Sequence, residues 1–159
     1  MKTYKLLTLM AAATLILGAC KADFSRNDDG SLTMETTVTQ EQIQETISSA
    51  IADPLIQDLT ASLQNGYVSV TGTRQRLNDP GKTDTMSLRL DLGVSNGQLT
   101  ASISDAQIDG VDIEQNRVDN WNQTIANRLS NFGGRSENAT LQSVAITPEQ
   151  VTMTWLVNR

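Results

Sequence analysis

Ten residues from Thr85 to Val94 alternate without a break. Met86, Leu88, Leu90, Leu92 and Val94 share one parity, with Thr85, Ser87, Arg89, Asp91 and Gly93 between them. Period two over such a length is the pattern of a strand with one buried face. At ~3.3 Å per residue it spans roughly 33 Å, which is long for a chain of 159 residues. Asn96-Gly97 follows directly, a pair suited to the positive φ angles of a two-residue hairpin turn. The return strand carries Leu99, Ala101 and Ile103, after which the apolar residues move to even positions at Ala106 and Ile108. A slip of one residue inside a strand predicts a β-bulge near Ser104-Asp105. A long bent hairpin predicts a strongly curved antiparallel sheet whose apolar face must be covered.

Two helical stripes can supply the cover. Thr39-Gln40-Glu41-Gln42 is a Thr-x-x-Gln capping box, followed by Ile43, Ile47, Ala50 and Ile51 at helical spacing. Asp53-Pro54 interrupts, because proline lacks an N–H and disfavours helix before it. Leu55, Ile56, Leu59 and Leu63 resume the spacing up to Asn65-Gly66, so the segment reads as one helix kinked at Pro54 or two short ones. Asp112-Ile113-Glu114-Gln115 reads as a second capping box. Beyond it Val118, Trp121, Ile125, Leu129 and Phe132 form an apolar stripe that ends at Gly133-Gly134.

The remaining strands are 32–38, 67–73, 141–146 and 151–157. Arg74 to Asp84 is a turn by composition, with Asn-Asp-Pro-Gly at its centre. The predicted order is strand, helix, three strands, helix, two strands. That is an α+β fold in which a strongly curved antiparallel sheet wraps on two helices.

The N-terminus carries a different message. Met1-Lys2-Thr3-Tyr4-Lys5 is basic, Leu6 to Leu17 is apolar, and Gly18-Ala19 stands before Cys20, the chain's only cysteine. A basic start, an apolar run and small residues make a secretory signal, and small residues directly before cysteine resemble the bacterial lipoprotein lipobox. By that resemblance residues 1–19 are removed, and the Cys20 thiol and new amino group are acylated. The product is exported and tethered to a membrane. Lys21 in place of aspartate resembles the pattern sent to the outer membrane where a cell has two, facing the periplasm; otherwise the outer face of the cell membrane is expected. Residues 20–30 then read as a lipidated, flexible polar tether, and 31–159 as one domain.

Composition narrows the function. Removing Lys2 and Lys5 leaves ten basic against eighteen acidic residues, a net charge of −8. Such a body argues against nucleic acid and against adhesion to anionic lipid by charge. With no histidine and no cysteine beyond the acylated one, the usual general base, metal ligand and thiol nucleophile are missing. No catalytic residue, metal or cofactor is expected, and an enzyme is the least favoured reading. Asp105, Asp109, Asp112 and Glu114 cluster in sequence but do not follow the EF-hand spacing, so they read as turn and cap carboxylates. Arg74 and Arg76 flank the turn as solvated charges, with contact to a lipid headgroup as their second reading.

Several stretches resemble the tubular lipid-binding (TULIP) superfamily, near its LmeA-like phospholipid-binding proteins. They are 32–43 (LTMETTVTQEQI), 66–72 (GYVSVTG), the Leu88/Leu90/Leu92 strand with Asn96-Gly97-Gln98-Leu99, Ile108-Asp109-Gly110 with the helix bearing Asn120-Trp121, and Ser143-Val144-Ala145-Ile146. The match runs over about residues 31–157, with loose motifs. The lipobox and Pro54 depart from the family's pattern. The resemblance implies a single TULIP-like unit holding a phospholipid, fatty acid or similar apolar ligand between sheet and helices. The lining would be Ile47, Ile51, Met86, Leu88, Leu90, Leu92, Ala101, Ile103, Ile125, Leu129, Met153 and Trp155. The competing expectation is a structural lipoprotein with a solid core that docks an envelope protein.

Overall fold

The computed structural model describes residues 22–133 and 138–158. The signal segment 1–19, Cys20, Lys21 and Gly134 lie outside them. The fold is α+β, with two antiparallel sheets and two helices. The first sheet has the order β1-β2-β9-β8, from β1 (Ala22–Arg26), β2 (Leu32–Thr39), β9 (Gln150–Val157) and β8 (Ala139–Ile146). The second runs β3-β4-β5-β6-β7, from β3 (Ile56–Leu63), β4 (Val68–Gln75), β5 (Thr83–Ser95), β6 (Gln98–Ile108) and β7 (Val111–Asp112). The helices are α1 (Gln40–Ala50) and α2 (Gln115–Ser130), and a short 3₁₀ turn, Asn131–Gly133, follows α2. The expectation of one strongly curved, wrapped sheet is therefore corrected to two sheets, and the strand order changes with it. Among the described residues no helix is long and apolar enough to cross a bilayer.

The β5–β6 hairpin forms as its sequence predicts. Asn96 and Gly97 take φ of 51° and 74°, the left-handed values that a right-twisted two-residue hairpin needs. The bulge falls where the parity slips: the ladder shifts between Ser87 and Arg89, and Asp105 opposite has φ of 52°. At α1, the Thr39 hydroxyl accepts from Gln42 N at 3.3 Å, and Gln42 Oε1 accepts from Thr39 N at 2.9 Å.

Three local expectations are corrected. Residues 55–63 are not helix. The four-residue spacing of Leu55, Leu59 and Leu63 is also a multiple of two, so it serves a strand equally well. Pro54 stops α1 from continuing, and Asp53 holds the turn by accepting from Leu55 N at 2.9 Å. Asp58, with φ of 52°, then absorbs a bulge between Gln57 and Thr60. The stretch expected as a free tether contains β1, which pairs with β2 from Ala22↔Thr36 to Arg26↔Leu32. The connecting turn is fixed by Asp29, whose Oδ1 accepts from Ser31 N at 2.9 Å and from the Ser31 hydroxyl at 2.6 Å. The second capping box does not form: α2 starts at Gln115, Glu114 makes no side-chain cap, and Asp112 belongs to β7.

The helices lie side by side, α1 against β3 and α2 against β6. Each also supplies an amide side chain to the edge of the second sheet. Gln44 of α1 donates from Nε2 to Leu59 O at 2.7 Å and accepts from Ala61 N at 2.5 Å. Asn122 of α2 accepts from Ile103 N at 2.8 Å. These bonds satisfy backbone groups that an edge strand would otherwise leave open. The apolar rows of both sheets and both helices form one core.

The sheets meet end to side. Gly66 N in the β3–β4 turn donates to Ile146 O at 3.0 Å, and Leu141 N donates to Gly97 O at 2.9 Å. The turns at one end of the second sheet therefore abut β8. From Val68 to Arg74 the chain runs on for roughly 20 Å, so the opposite end of that sheet is remote from the first.

Candidate functional site

That remote end is where the inner row of the second sheet stops being apolar. Val68, Val70 and Gly72 are buried on β4, and Arg74 follows in the same parity. On β5, Leu90, Leu88 and Met86 are buried, and Asp84 continues that row. Arg74 pairs across the ladder with Asp84 on one side and with Ile56 on the other. On β6, the bulge brings Ile108 opposite Met86. The turn at Asp109-Gly110, with φ of 53° and 79°, returns Val111 alongside Ile108.

A cavity of about 470 Å³ opens here, lined by Arg74, Arg76, Asp84, Ile108, Asp109, Val111, Asp112, Ile113, Glu114 and Arg117. Its volume falls within the ~300–1,000 Å³ common for small-molecule sites. Ile108, Val111 and Ile113 give an apolar wall, and three arginines face it from β4, the following loop and α2.

The arginines are not equivalent. Arg76 Nε binds Asp84 Oδ1 at 2.5 Å and its Nη2 binds Asp109 Oδ2 at 3.1 Å. The Asp84 hydrogen bond raises the Arg76 pKa above its ordinary value. Arg117 Nη2 binds Asp53 Oδ2 at 2.9 Å, and its guanidinium lies 5.3 Å from the centre of the Trp121 ring. Arg74 makes no ion pair or side-chain hydrogen bond among the described residues, and its Nε is buried. The acidic run seen in the sequence divides into separate duties. Asp105 sits in the bulge, Asp109 pairs with Arg76, and Asp112 accepts from Gln107 Nε2 at 3.0 Å. Among the described residues no three acidic side chains gather as a metal site.

The residues expected to line a groove lie together in the core. Ile47, Ile51, Met86, Leu88, Leu90, Ile103, Ile125, Leu129, Met153 and Trp155 are buried, and Leu92 and Ala101 are half-buried against them. They fill the space between sheets and helices with one another's side chains, and none of the twelve lines the 470 Å³ cavity. Ala101 lines a smaller one of about 350 Å³, with Asp119 and Asn122 of α2. Trp155 lies on the side of the first sheet, where its Nε1 donates to the Thr36 hydroxyl at 3.1 Å. Cys20 is outside the described residues.

Arg117, Ile113 and Val111 carried no site reading in the sequence. The signal was available in strand parity, because Arg74 and Asp84 are the polar ends of two otherwise apolar rows. Comparison with protein families, with curated proteins and with solved structures finds no match to this chain.

Proposed function

We propose that the protein is an envelope lipoprotein, anchored through acylated Cys20, that binds a phospholipid, fatty acid or similar apolar ligand. The carrying observation is the cavity of about 470 Å³ at the open end of the second sheet's inner face, where isoleucine and valine side chains stand beside arginines. An acyl chain needs apolar wall and no hydrogen bonds, and a polar head needs the opposite. This mouth offers both within one opening. The resemblance to the tubular lipid-binding superfamily points the same way.

The apolar end of the ligand lies against Ile108, Val111 and Ile113. Deeper entry along the expected lining requires side chains to yield. Met86 stands first in the way, opposite Ile108, and methionine is the residue best able to change shape. Lys21 alone separates Cys20 from β1, so the anchor holds the body close to the bilayer. α1 runs ~16 Å from the β2 end beside Ala22 towards Asp53 and the cavity, which carries the mouth away from the anchored end.

The packed core favours a second reading, a structural lipoprotein that docks an envelope protein. Lipid analysis decides between them. Purified full chain examined by native mass spectrometry should carry one amphiphile per molecule, and only empty protein across phospholipid and fatty acid classes would favour the docking lipoprotein. Cys20→Ala should move the chain out of the detergent-requiring membrane fraction; unchanged membrane attachment would remove the anchor from the proposal.

A further inference from the structure

We infer that Arg74 is the headgroup contact of this ligand, and that the head is a singly charged anion, a carboxylate or a phosphodiester. This rests on the lipid-binding reading and gives the ligand its chemical class.

The argument begins with strand parity. Arg74 stands on the row of Val68, Val70 and Gly72, all buried, so its side chain leaves the strand on the core side, at the row's open end. A cation there is costly unless it is paired. The neighbour placed to pair with it is Asp84, directly across the ladder. Asp84 is already taken by Arg76 at 2.5 Å, and Arg117 is taken by Asp53 at 2.9 Å. Two of the three cavity arginines are thus neutralised by the fold. The third has a buried Nε with no acceptor among the described residues. A guanidinium presents parallel N–H groups that match a carboxylate or phosphate oxygen pair. An anion entering the cavity would pair with this guanidinium, the Arg74 side chain turning to bring its buried Nε to the opening, while the ligand's chain meets Ile108 and Ile113.

The surroundings restrict the charge of that anion. Asp84, Asp109, Asp112 and Glu114 also line the cavity, so the opening has no net positive field to draw in a polyanion. Recognition comes from direct contact with one guanidinium. That favours one negative charge over two, and it makes low salt a weak aid to binding.

The test titrates the full chain calorimetrically with four water-soluble probes. Octanoate and dihexanoylphosphatidylglycerol have a chain and a single negative charge, octan-1-ol has a chain alone, and inorganic phosphate has charge alone. The parent should bind the two anionic amphiphiles about tenfold to a hundredfold more tightly than octan-1-ol, the usual worth of a charged hydrogen bond. Arg74→Gln should erase that preference while octan-1-ol binding is kept. Arg74→Lys keeps the charge without the fork and should retain part of it, which guards against a glutamine variant that merely folds poorly. A preference unchanged in Arg74→Gln, or absent from the parent, overturns the Arg74 contact and leaves the lipid reading standing. Failure of every amphiphile to bind overturns both. Arg74-dependent binding of inorganic phosphate as tight as that of the amphiphiles keeps the anion contact and overturns the lipid reading.

Discussion

Thr36 is a polar residue in an apolar row, between Met34 and Val38 on the inner face of β2. It is 2% exposed, and its hydroxyl accepts from Trp155 Nε1 at 3.1 Å with both ends buried. Thr36→Val keeps the shape of the side chain and removes the acceptor. The indole N–H is then left unpaired in a core position, which costs about 1–3 kcal/mol. In a Trp155→Phe background there is no indole N–H to strand, and the threonine hydroxyl has lost its donor. There the same Thr36→Val change should be neutral or slightly stabilising. The pair should therefore show a coupling of about 2 kcal/mol. Urea unfolding followed by circular dichroism on the four proteins measures it, without relying on tryptophan emission. On heating, Thr36→Val alone should lower Tm by roughly 6 °C for a domain of this size. If Thr36→Val costs the same in both backgrounds, the hydrogen bond does not support the core as argued, and Trp155 is held by packing alone.

Two further outcomes follow from close contacts and from charge. A Cβ added at Gly133 would run into the Trp155 indole, so Gly133→Ala should cost about 1–3 kcal/mol through overpacking; an alanine variant as stable as the parent in urea would mean the 3₁₀ turn does not close over the ring. Hydrogen bonds from the Ser31 hydroxyl and Ser31 N–H lower the Asp29 pKa below its ordinary value. A lowered carboxylate stabilises above its unfolded pKa and loses that contribution as the pH falls through its folded value. Asp29→Ala should therefore be less stable than the parent at neutral pH, with the gap closing below the ordinary carboxylate range of about 4; a gap that persists unchanged into acid would remove the charge from the explanation.

Much of the fold was legible because its signals were local and redundant. Asn96-Gly97 requires positive φ at both positions, and the shift from Ile103 to Ala106 can only be absorbed by an extra residue, so both were readable without any partner strand. Thr39 and Gln42 needed only each other. β3 was misread because Leu55, Leu59 and Leu63 satisfy two periodicities at once, and what decides between them is tertiary. The Gln44 side chain reaches across to Leu59 O and Ala61 N, and Leu59 packs over Gly72, where a Cβ would come within 3.2 Å of it. Neither contact leaves a mark in the 55–63 segment itself. β1 was missed for a related reason. Its five residues are all exposed, so it has no apolar row to announce it, and it exists through backbone pairing and the Asp29 turn.

The site was less legible than the fold because its polar residues come from β4, β5, β7, α2 and the loops beside them, which meet only after folding. Asp53 lies in the link between α1 and β3 and Arg117 in the first turn of α2, yet their ion pair at 2.9 Å ties that link to the start of α2 beside the cavity. Arg76 and Asp109 lie 33 residues apart and close its rim. Reading 74–84 as a solvated turn by composition hid the fact that its first and last residues are still in strand. Extending the two alternating rows by one step each way, to Arg74 and Asp84, would have put an arginine and an aspartate on the inner face at the same end of the sheet. A polar pair at the end of an apolar row is a different signal from a polar turn, because the strand fixes where each side chain leaves the backbone. Among the described residues the aspartate finds its partner and the arginine does not. That asymmetry, rather than the apolar interior behind it, is what supports the proposed ligand contact at this end of the molecule.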